Sequence, residues 1–367
     1  MKKAHIMRIS FSRANRVVGA ATLGVIAIMV SAASTADRGF TSDEPTGKAV
    51  PWTATPADDG GPLRFVVVGD RTGVARIGVF PEAMRQISWL RPDFTISVGD
   101  MIEGYSEDKS EIGRQWDELI GYTRALGGPF IAVPGNHDIS NAASAETWRE
   151  RFGRPNYAFM FKGALFVVLD SEETPQILPA AVTQEAHAMS SLATRDPDRY
   201  DREMADILAD RAKKAAPSAT PSELQAILTR LGSNYAAIKR GRAFSATQVD
   251  WVRGVLARHR DARWTFVFVH RPEWNSAQSG WSDIEAALQG RRHTVIGGHD
   301  HRFSRQVRSG TDYFQMGTTG GTAQQPGPGL MDHIMMVTLA EGQPAFANIR
   351  LDGLLDADGK NKQTRAY

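Results

Sequence analysis

Short apolar runs alternate with amphipathic segments through the first third of the sequence. Residues 64–68, 93–98 and 129–133 are apolar runs with the length of buried strands. Residues 76–91 carry apolar side chains at helical spacing after the first run, and residues 107–126 form a second helical segment before the third. Strand, helix, strand, helix and strand in this order predict an α/β fold with a parallel, doubly wound sheet.

The same alternation continues in the second half of the chain. Residues 157–161 and 164–169 are apolar runs separated only by Lys162 and Gly163, which predicts a β-hairpin. Ser245 is a good N-cap for the helix that follows it, with Gln248 at the capping-box position. Further strands are predicted at residues 264–269, 293–296, 303–307, 313–316, 333–340 and 344–350, and further helices at residues 246–259 and 282–290.

Three segments lack this regular pattern. Residues 179–242 are polar and Ala-rich, and their length exceeds what a strand-to-strand crossover needs, which predicts a helical insertion. A mobile linker is the alternative for residues 192–222. Residues 37–62 are rich in Pro, Asp, Gly and Thr and predict a flexible leader, and residues 356–367 form a polar tail. The folded domain is therefore expected at residues 63–355.

The first 36 residues have the pattern of a secretory signal peptide. They carry five basic and no acidic side chains, with an apolar run at residues 17–33 and small residues through Ala36. We expect cleavage after Ala32 or Ala36 and a periplasmic or secreted protein. The alternative is an uncleaved membrane anchor, because the apolar run approaches the ~17–25 residues that a spanning helix needs. Contact with a membrane is expected only in that case.

Charge and cysteine content exclude several classes of function. The whole chain has 43 basic and 41 acidic side chains, but without residues 1–36 the 38 remaining basic groups give a net charge of −3. No basic excess is left to indicate nucleic-acid binding. The absence of Cys excludes thiolate metal sites and cysteine nucleophiles.

Side chains that bind metal ions follow five of the predicted strands. The carboxyl ends of strands in an open α/β sheet are where ligands bind, so the fold can bring these side chains to one edge. Carboxylate and amide oxygens mixed with imidazoles favour Fe, Mn or Zn over Ca or Mg. The residues are Asp70, Asp100, Asn136 with His137, His270, and His299 with His301.

The order of these motifs resembles that of the calcineurin-like metallophosphoesterase superfamily, which includes the purple acid phosphatases. The motifs are Gly-Asp, Gly-Asp, Gly-Asn-His-Asp, Val-His and Gly-His-x-His, and the resemblance covers residues 64–350. It implies a four-layer α/β/β/α sandwich with the site at the carboxyl ends of the strands. It also implies that the substrate is a phosphate ester.

The resemblance further implies a centre of two divalent or trivalent metal ions bridged by Asp100. Asp70 and His301 would hold the first metal. Metals ~3.5–4 Å apart polarise a phosphoryl oxygen and lower the pKa of a shared water, so a bridging hydroxide would attack phosphorus. The ligands of the second metal would be Asn136, His270 and His299.

Catalytic roles follow for residues beside the ligands. By resemblance, His137 would face the substrate and protonate the leaving oxygen, and Asp138 would orient His137. Arg71 directly follows a ligand and is the preferred candidate for a cation that binds the phosphoryl group, ahead of Arg271 and Arg302.

The first metal site departs from the usual pattern of the superfamily. Many members have a His two residues after the first Asp, where this chain has Thr72. Purple acid phosphatases also lack that His but supply a Tyr three residues after the bridging Asp, where this chain has Glu103. Glu103 either binds or flanks the first metal, or caps the next turn and leaves a weak first site in which water fills the gap.

Three functions are compatible with these residues. The first is a secreted or periplasmic two-metal phosphoesterase acting on phosphomonoesters or phosphodiesters. The second is a non-catalytic or single-metal binding protein of the same fold, which the substitution at Thr72 favours. The third is a membrane-anchored enzyme acting on phospholipid or envelope phosphates, which requires that residues 17–33 are retained.

Overall fold

The computed structural model describes most of the chain beyond residue 37. The chain divides into two units, Met1–Thr35 and Ala36–Tyr367. The first unit, the expected signal peptide and nearly all of the insertion expected at residues 179–242 lie outside the described residues. Among the described residues, none of the helices has the length and apolar character needed to cross a bilayer. The described ranges are residues 38–43, 49–173, 243–322, 328–354 and 356–358, with isolated positions between 174 and 242.

Within these ranges the secondary structure follows the sequence pattern closely. The predicted strands are all present, with ends that differ by one or two residues from the expected bounds. In chain order the strands are β1 Thr41–Ser42, β2 Leu63–Val68, β3 Phe94–Ser97, β4 Phe130–Ile131, β5 Tyr157–Phe161, β6 Ala164–Val168, β7 Trp264–Phe268, β8 His293–Gly297, β9 Ser304–Arg308, β10 Thr311–Gln315, β11 His333–Leu339 and β12 Ala345–Arg350. The α-helices outside residues 174–242 are α1 Val79–Leu90, α2 Lys109–Thr123, α3 Ala142–Phe152, α4 Ala246–Arg258 and α5 Trp281–Leu288. Short 3-10 turns lie at Arg124–Leu126, Glu273–Asn275 and Leu351–Gly353.

The described strands form two sheets. One has the order β12-β11-β2-β3-β4, in which β2, β3 and β4 are parallel and β11 is antiparallel to β2. The other has the order β1-β5-β6-β7-β8-β10-β9, in which β6, β7 and β8 are parallel. In both sheets the parallel strands run side by side, so their carboxyl ends share an edge where ligand-bearing loops can meet.

The two sheets pack face to face, and helices cover their outer faces. Because successive strand residues point to opposite faces, Phe65 points into the space between the sheets while Val66 points towards the helices. Phe65 stacks on Phe94 with ring centroids 5.3 Å apart and meets Phe166 of the other sheet edge-on at 5.3 Å. Helices α1, α2 and α3 cover the first sheet, and α4 and α5 cover the second. The four-layer α/β/β/α sandwich is confirmed.

Two helices differ from the sequence-based expectation. Helix α1 begins at Val79 rather than near residue 76, because Gly78 precedes it with a left-handed φ of 86°. Ile77, which the periodicity placed on the buried face, is therefore outside the helix and 61% exposed. Helix α3 was not predicted because its apolar positions are sparse. Its start is nevertheless encoded by a capping box between Asn141 and Ser144.

The segment expected to be a flexible leader is packed against both sheets where it is described. Strand β1 pairs with β5, and the carbonyl oxygen of Pro51 accepts a hydrogen bond of 2.7 Å from Ala132 N. The side chain of Lys162, in the β5–β6 turn, is fully buried and binds Asp59 at 2.5 Å and Asp93 at 2.8 Å. The expectation of a flexible leader is wrong for these residues, because a buried ammonium group needs carboxylate partners and the segment supplies one of them, Asp59.

A buried histidine fixes the loop that leads from β10 back to the first sheet. His333 is fully buried at the start of β11. Its Nε2 accepts a hydrogen bond of 2.8 Å from Gly317 N, and its Nδ1 lies 3.1 Å from Asn348 Oδ1, to which it donates. This arrangement requires the neutral imidazole, and burial lowers the pKa of His333 to about 4.

The variant His333→Gln is expected to flatten the pH dependence of stability below neutrality. An unfolded histidine has a pKa of about 6.5, so between pH 6.5 and 4 the unfolded chain binds more protons than the folded one. The unfolding free energy of the wild type should therefore fall by ~3 kcal/mol through this group as the pH is lowered across that range. Urea denaturation at fixed metal concentration measures the effect. If the unfolding free energies of the wild type and the variant fall equally with pH, His333 does not contribute to the pH dependence.

Candidate metal centre

The loops after β2, β3, β4, β7 and β8 bring the predicted metal ligands together. Two groups of ligand atoms form, each with all its atoms within 4.8 Å of one another. Both groups include Asp100, so its carboxylate is shared by them. One group is Asp100, His270 and His299, and the other is Asp70, Asp100 and His301.

Four side chains meet at the group that was predicted to hold the second metal. The Nε2 of His270 lies 3.1 Å from Asp100 Oδ2, 3.1 Å from Asn136 Oδ1 and 3.2 Å from His299 Nδ1. The other ring nitrogen, Nδ1, donates to the carbonyl oxygen of Val98 at 2.9 Å. This contact fixes the ring orientation and leaves the Nε2 lone pair for a metal ion.

The group predicted to hold the first metal has fewer ligands. His301 Nε2 lies 3.2 Å from Asp70 Oδ2, and His301 Nδ1 donates to the carbonyl oxygen of Thr322 at 2.7 Å. Asp70 Oδ2 also accepts a hydrogen bond of 2.9 Å from the backbone N–H of His299. The second oxygen, Oδ1 of Asp70, is buried and has no hydrogen-bond partner among the residues that the structure describes. A buried carboxylate oxygen without a partner is costly unless a cation binds it, so these residues fit a metal ion.

The backbone around the ligands is strained and closely packed. Asp100, His299 and His301 have left-handed φ angles of 55°, 79° and 55°, which are uncommon for residues other than glycine. Two glycines allow the carboxylates to approach the backbone. A Cβ atom at Gly135 would lie 2.3 Å from Asp100 Oδ1, and one at Gly298 would lie 2.3 Å from Asp70 Oδ1. Such strain collects at functional sites.

The pKa shifts in the centre show how strongly its charges depend on one another. Burial raises the pKa of Asp100, but the charges of His270 and His137 outweigh it and lower that pKa below the usual range. Burial lowers the pKa of His270, but the Asp100 carboxylate outweighs it and raises the value to about 9. Burial and the charge of Arg271 hold the pKa of His299 well below its usual range. A metal ion among these groups would take the place of the proton on His270.

His137 lies beside the centre but outside both ligand groups. Its backbone N–H donates to Asp100 Oδ1 at 2.9 Å, and its ring Nδ1 donates to the carbonyl oxygen of Glu103 at 2.8 Å. The ring packs edge-on against Tyr105 with centroids 4.7 Å apart. The backbone of His137 is thus attached to the shared carboxylate, while its ring Nε2 remains for other contacts.

Asp138 does not orient His137, in contrast to the prediction. One carboxylate oxygen accepts hydrogen bonds from Met101 N at 2.9 Å and Ile102 N at 3.1 Å. The other oxygen accepts from Gly135 N at 2.9 Å. The prediction was wrong because a carboxylate one residue away in sequence points into the backbone of the loops. Asp138 therefore supports the loops after β3 and β4.

Arg71 is also not the phosphoryl-binding cation that the sequence favoured. Its guanidinium donates to the carbonyl oxygen of Met101 and to Glu118 Oε2, both at 2.9 Å. It also lies over the rings of Phe80 and Tyr122, at 5.9 and 5.4 Å from their centroids. The side chain is therefore turned towards α1 and α2, where it joins these helices to the loop after β3.

Glu103 is engaged by the loop that follows Asp70. Its carboxylate oxygens accept hydrogen bonds from Ala75 N at 2.6 Å and Val74 N at 3.4 Å. Val74 has a left-handed φ of 72°, which is costly for a β-branched residue and needs such support. Glu103 thus supports the turn that follows Asp70, and it is in neither ligand group.

Two residues that the sequence did not emphasise lie at the centre. Arg271 Nη1 is 2.5 Å from His299 Nε2, and its Nε donates to Glu172 Oε1 at 2.8 Å. Tyr105 accepts a hydrogen bond of 3.0 Å on its hydroxyl oxygen from Asn136 Nδ2. Arg271 could have been ranked higher, since it directly follows a ligand, whereas nothing in the sequence around Tyr105 indicates its position.

Comparison with known proteins gives the same family as the motifs. The model of the family described as calcineurin-like phosphoesterase matches residues 63–303. The serine/threonine-protein phosphatase CPPED1 of Pongo abelii is 32% identical over 115 residues, which are 27% of this chain and 34% of that protein. The human protein of that name is 31% identical over the same lengths. The matched segment thus spans about a third of these curated relatives.

Two solved phosphatase structures are similar to this chain. A purple acid phosphatase, PPD1 from yellow lupin (Lupinus luteus) seeds, has a TM-score of 0.50 at 11% identity and covers 84% of this chain and 54% of its own. A dimetal phosphatase from Danio rerio has a TM-score of 0.47 at 16% identity and covers 78% of this chain and 96% of its own. The lupin structure supports the fold alone. Because the family model covers well over half of the sequence, the chain belongs to the calcineurin-like phosphoesterase family.

Proposed function

We propose that this protein hydrolyses phosphate esters with the help of two metal ions held at the carboxyl ends of the strands. The observation that carries the proposal is the sharing of one buried carboxylate, Asp100, by two groups of metal-type ligands. When bound, the two ions would supply charge that polarises a phosphoryl oxygen and lowers the pKa of the attacking water. The mixed oxygen and imidazole ligands favour Fe, Mn or Zn.

His137 is the group that we propose as the acid for the leaving oxygen. Its Nδ1–H is held by the carbonyl oxygen of Glu103, so in the protonated ring the transferable proton is on Nε2. Water adds its oxygen to phosphorus and releases a proton to solvent. The bond from phosphorus to the leaving oxygen breaks, and that oxygen takes the Nε2 proton. The backbone contact between His137 and Asp100 couples the position of the acid to that of the ligands.

We also propose that residues 1–36 direct the protein out of the cytoplasm. Their basic, apolar and small-residue regions support this proposal. N-terminal sequencing of the mature protein distinguishes cleavage after Ala32 or Ala36 from a retained anchor.

The wild type is expected to hydrolyse p-nitrophenyl phosphate in the presence of Mn, Fe or Zn and to lose this activity when a chelator removes the metal. Phosphoserine and phosphothreonine peptides belong in the substrate panel, because CPPED1 is named a serine/threonine-protein phosphatase. Asp100→Asn, which removes the shared charge, is expected to abolish the activity, and Arg305→Gln, at an exposed position in β9, serves as the matched control. A wild type that binds metal yet hydrolyses no ester in the panel would support the binding protein instead.

The variant His137→Ala is expected to lose ~10²–10⁴-fold in kcat on an alkyl phosphate, whose leaving group needs a proton. On p-nitrophenyl phosphate, whose leaving group departs without a proton, the loss should be much smaller. Comparing the two substrates on one variant separates acid catalysis from damage to the fold. Metal content, measured by mass spectrometry, should equal that of the wild type. Equal losses on both substrates would remove His137 from the role of acid.

A further inference from the structure

We propose that Arg271, held by Glu172, binds a non-ester oxygen of the substrate and makes the centre selective for phosphomonoesters over phosphodiesters. This inference rests on the proposed phosphoesterase function and adds the class of ester. Arg271 lies outside the two ligand groups and contacts His299, a member of one of them.

Arg271 places a guanidinium directly at the centre. The residue follows His270 in the loop after β7, and its Nη1 lies 2.5 Å from His299 Nε2. Its side chain is 12% exposed. Two other arginines directly follow a predicted ligand. Arg71 is turned towards Glu118, and Arg302 donates to the carbonyl oxygen of Pro328 at 3.4 Å. Of these three arginines, Arg271 is the one that contacts a ligand side chain.

Glu172 is the positioning residue for this guanidinium. Its carboxylate is 2% exposed and accepts a hydrogen bond of 2.8 Å from Arg271 Nε. Glu172 follows β6 in a tight turn, in which its backbone N–H donates to Asp170 Oδ1 at 2.8 Å and Ser171 Oγ donates to Glu172 Oε1 at 3.0 Å. Because this contact uses Nε, the Nη groups of Arg271 can donate hydrogen bonds to other acceptors.

The tautomer of His299 determines what Nη1 of Arg271 can bind. His299 Nδ1 faces the ligand cluster, 3.2 Å from His270 Nε2. A neutral imidazole that offers its Nδ1 lone pair to a metal ion carries its proton on Nε2, and then Nε2 cannot accept from Arg271. In the loaded centre the Nη1 donor therefore needs a different acceptor. An anionic oxygen of a bound phosphoryl group is such an acceptor, and the guanidinium geometry suits it.

The number of oxygens and the charge distinguish the two ester classes. A phosphomonoester has three non-ester oxygens and a charge of about −1.5 to −2 at neutral pH. A phosphodiester has two non-ester oxygens and a single charge. If the two metal ions take two of these oxygens, the third oxygen of a monoester would remain for Arg271, whereas a diester would have none left for it. The guanidinium therefore stabilises the bound monoester more than the bound diester.

The test compares Arg271→Gln and Arg271→Lys with the wild type, all loaded with Mn. For Arg271→Gln we expect kcat/KM on p-nitrophenyl phosphate to fall by about 10–100-fold, because a hydrogen bond to a charged group is lost. The kcat/KM on bis-p-nitrophenyl phosphate should change by less than about threefold. The inhibition constant of inorganic phosphate should rise by a factor similar to the fall in kcat/KM on p-nitrophenyl phosphate. The kcat/KM of Arg271→Lys on the monoester should lie between those of the wild type and Arg271→Gln, because lysine keeps the positive charge but lacks the planar guanidinium.

Glu172→Gln tests the positioning role. It should raise the inhibition constant of inorganic phosphate by less than Arg271→Gln does. It should also lower kcat/KM on the monoester more than on the diester, which general damage to the site would not do. Arg305→Gln is again the matched control. Metal content of every variant should equal that of the wild type.

Several outcomes would overturn the inference. These are an unchanged rate of Arg271→Gln on the monoester, an equal loss on both esters, or a wild type that prefers the diester. If the wild type hydrolyses neither ester, the proposed function fails by itself. Calorimetric titration of the Mn-loaded protein with inorganic phosphate then decides the inference separately: binding that weakens in Arg271→Gln supports it, and equal or absent binding refutes it.

Discussion

The carboxylate of Asp100 is the contact on which the rest of the centre depends. It is buried and shared by the two ligand groups, and its two oxygens reach His137 N and His270 Nε2. A buried carboxylate between imidazoles is stable only with compensating positive charge, which a proton or a metal ion can supply. The left-handed backbone at this residue and the missing side chain of Gly135 are local costs of keeping the carboxylate there.

The fold explains why residues so far apart in sequence form one site. Parallel strands in each of two packed sheets end at a common edge, and each ligand follows a strand by only a few residues. This is why the positions of Asp70, His270 and their partners could be predicted from apolar runs followed by polar residues. This pattern places a residue at the end of a strand because the local run of apolar residues indicates the length and burial of the strand.

The local sequence does not determine the direction in which a side chain points. Arg71 and Arg271 each follow a ligand, yet one turns to Glu118 and the other to His299, because the partner carboxylates come from distant parts of the chain. Asp138 likewise serves the backbone of two loops and not the neighbouring His137. The packed segment before β2 was missed for a related reason. Its composition suggests disorder, but its order comes from contacts with residues such as Lys162.

The proposed function requires that this chain bind two metal ions that share Asp100. Anomalous X-ray scattering from crystals of the Mn-loaded protein would locate both ions. We expect two peaks, one among Asp70, Asp100 and His301 and the other among Asp100, Asn136, His270 and His299. A single peak, no peak in this region, or two ions that do not both contact Asp100 would contradict the account.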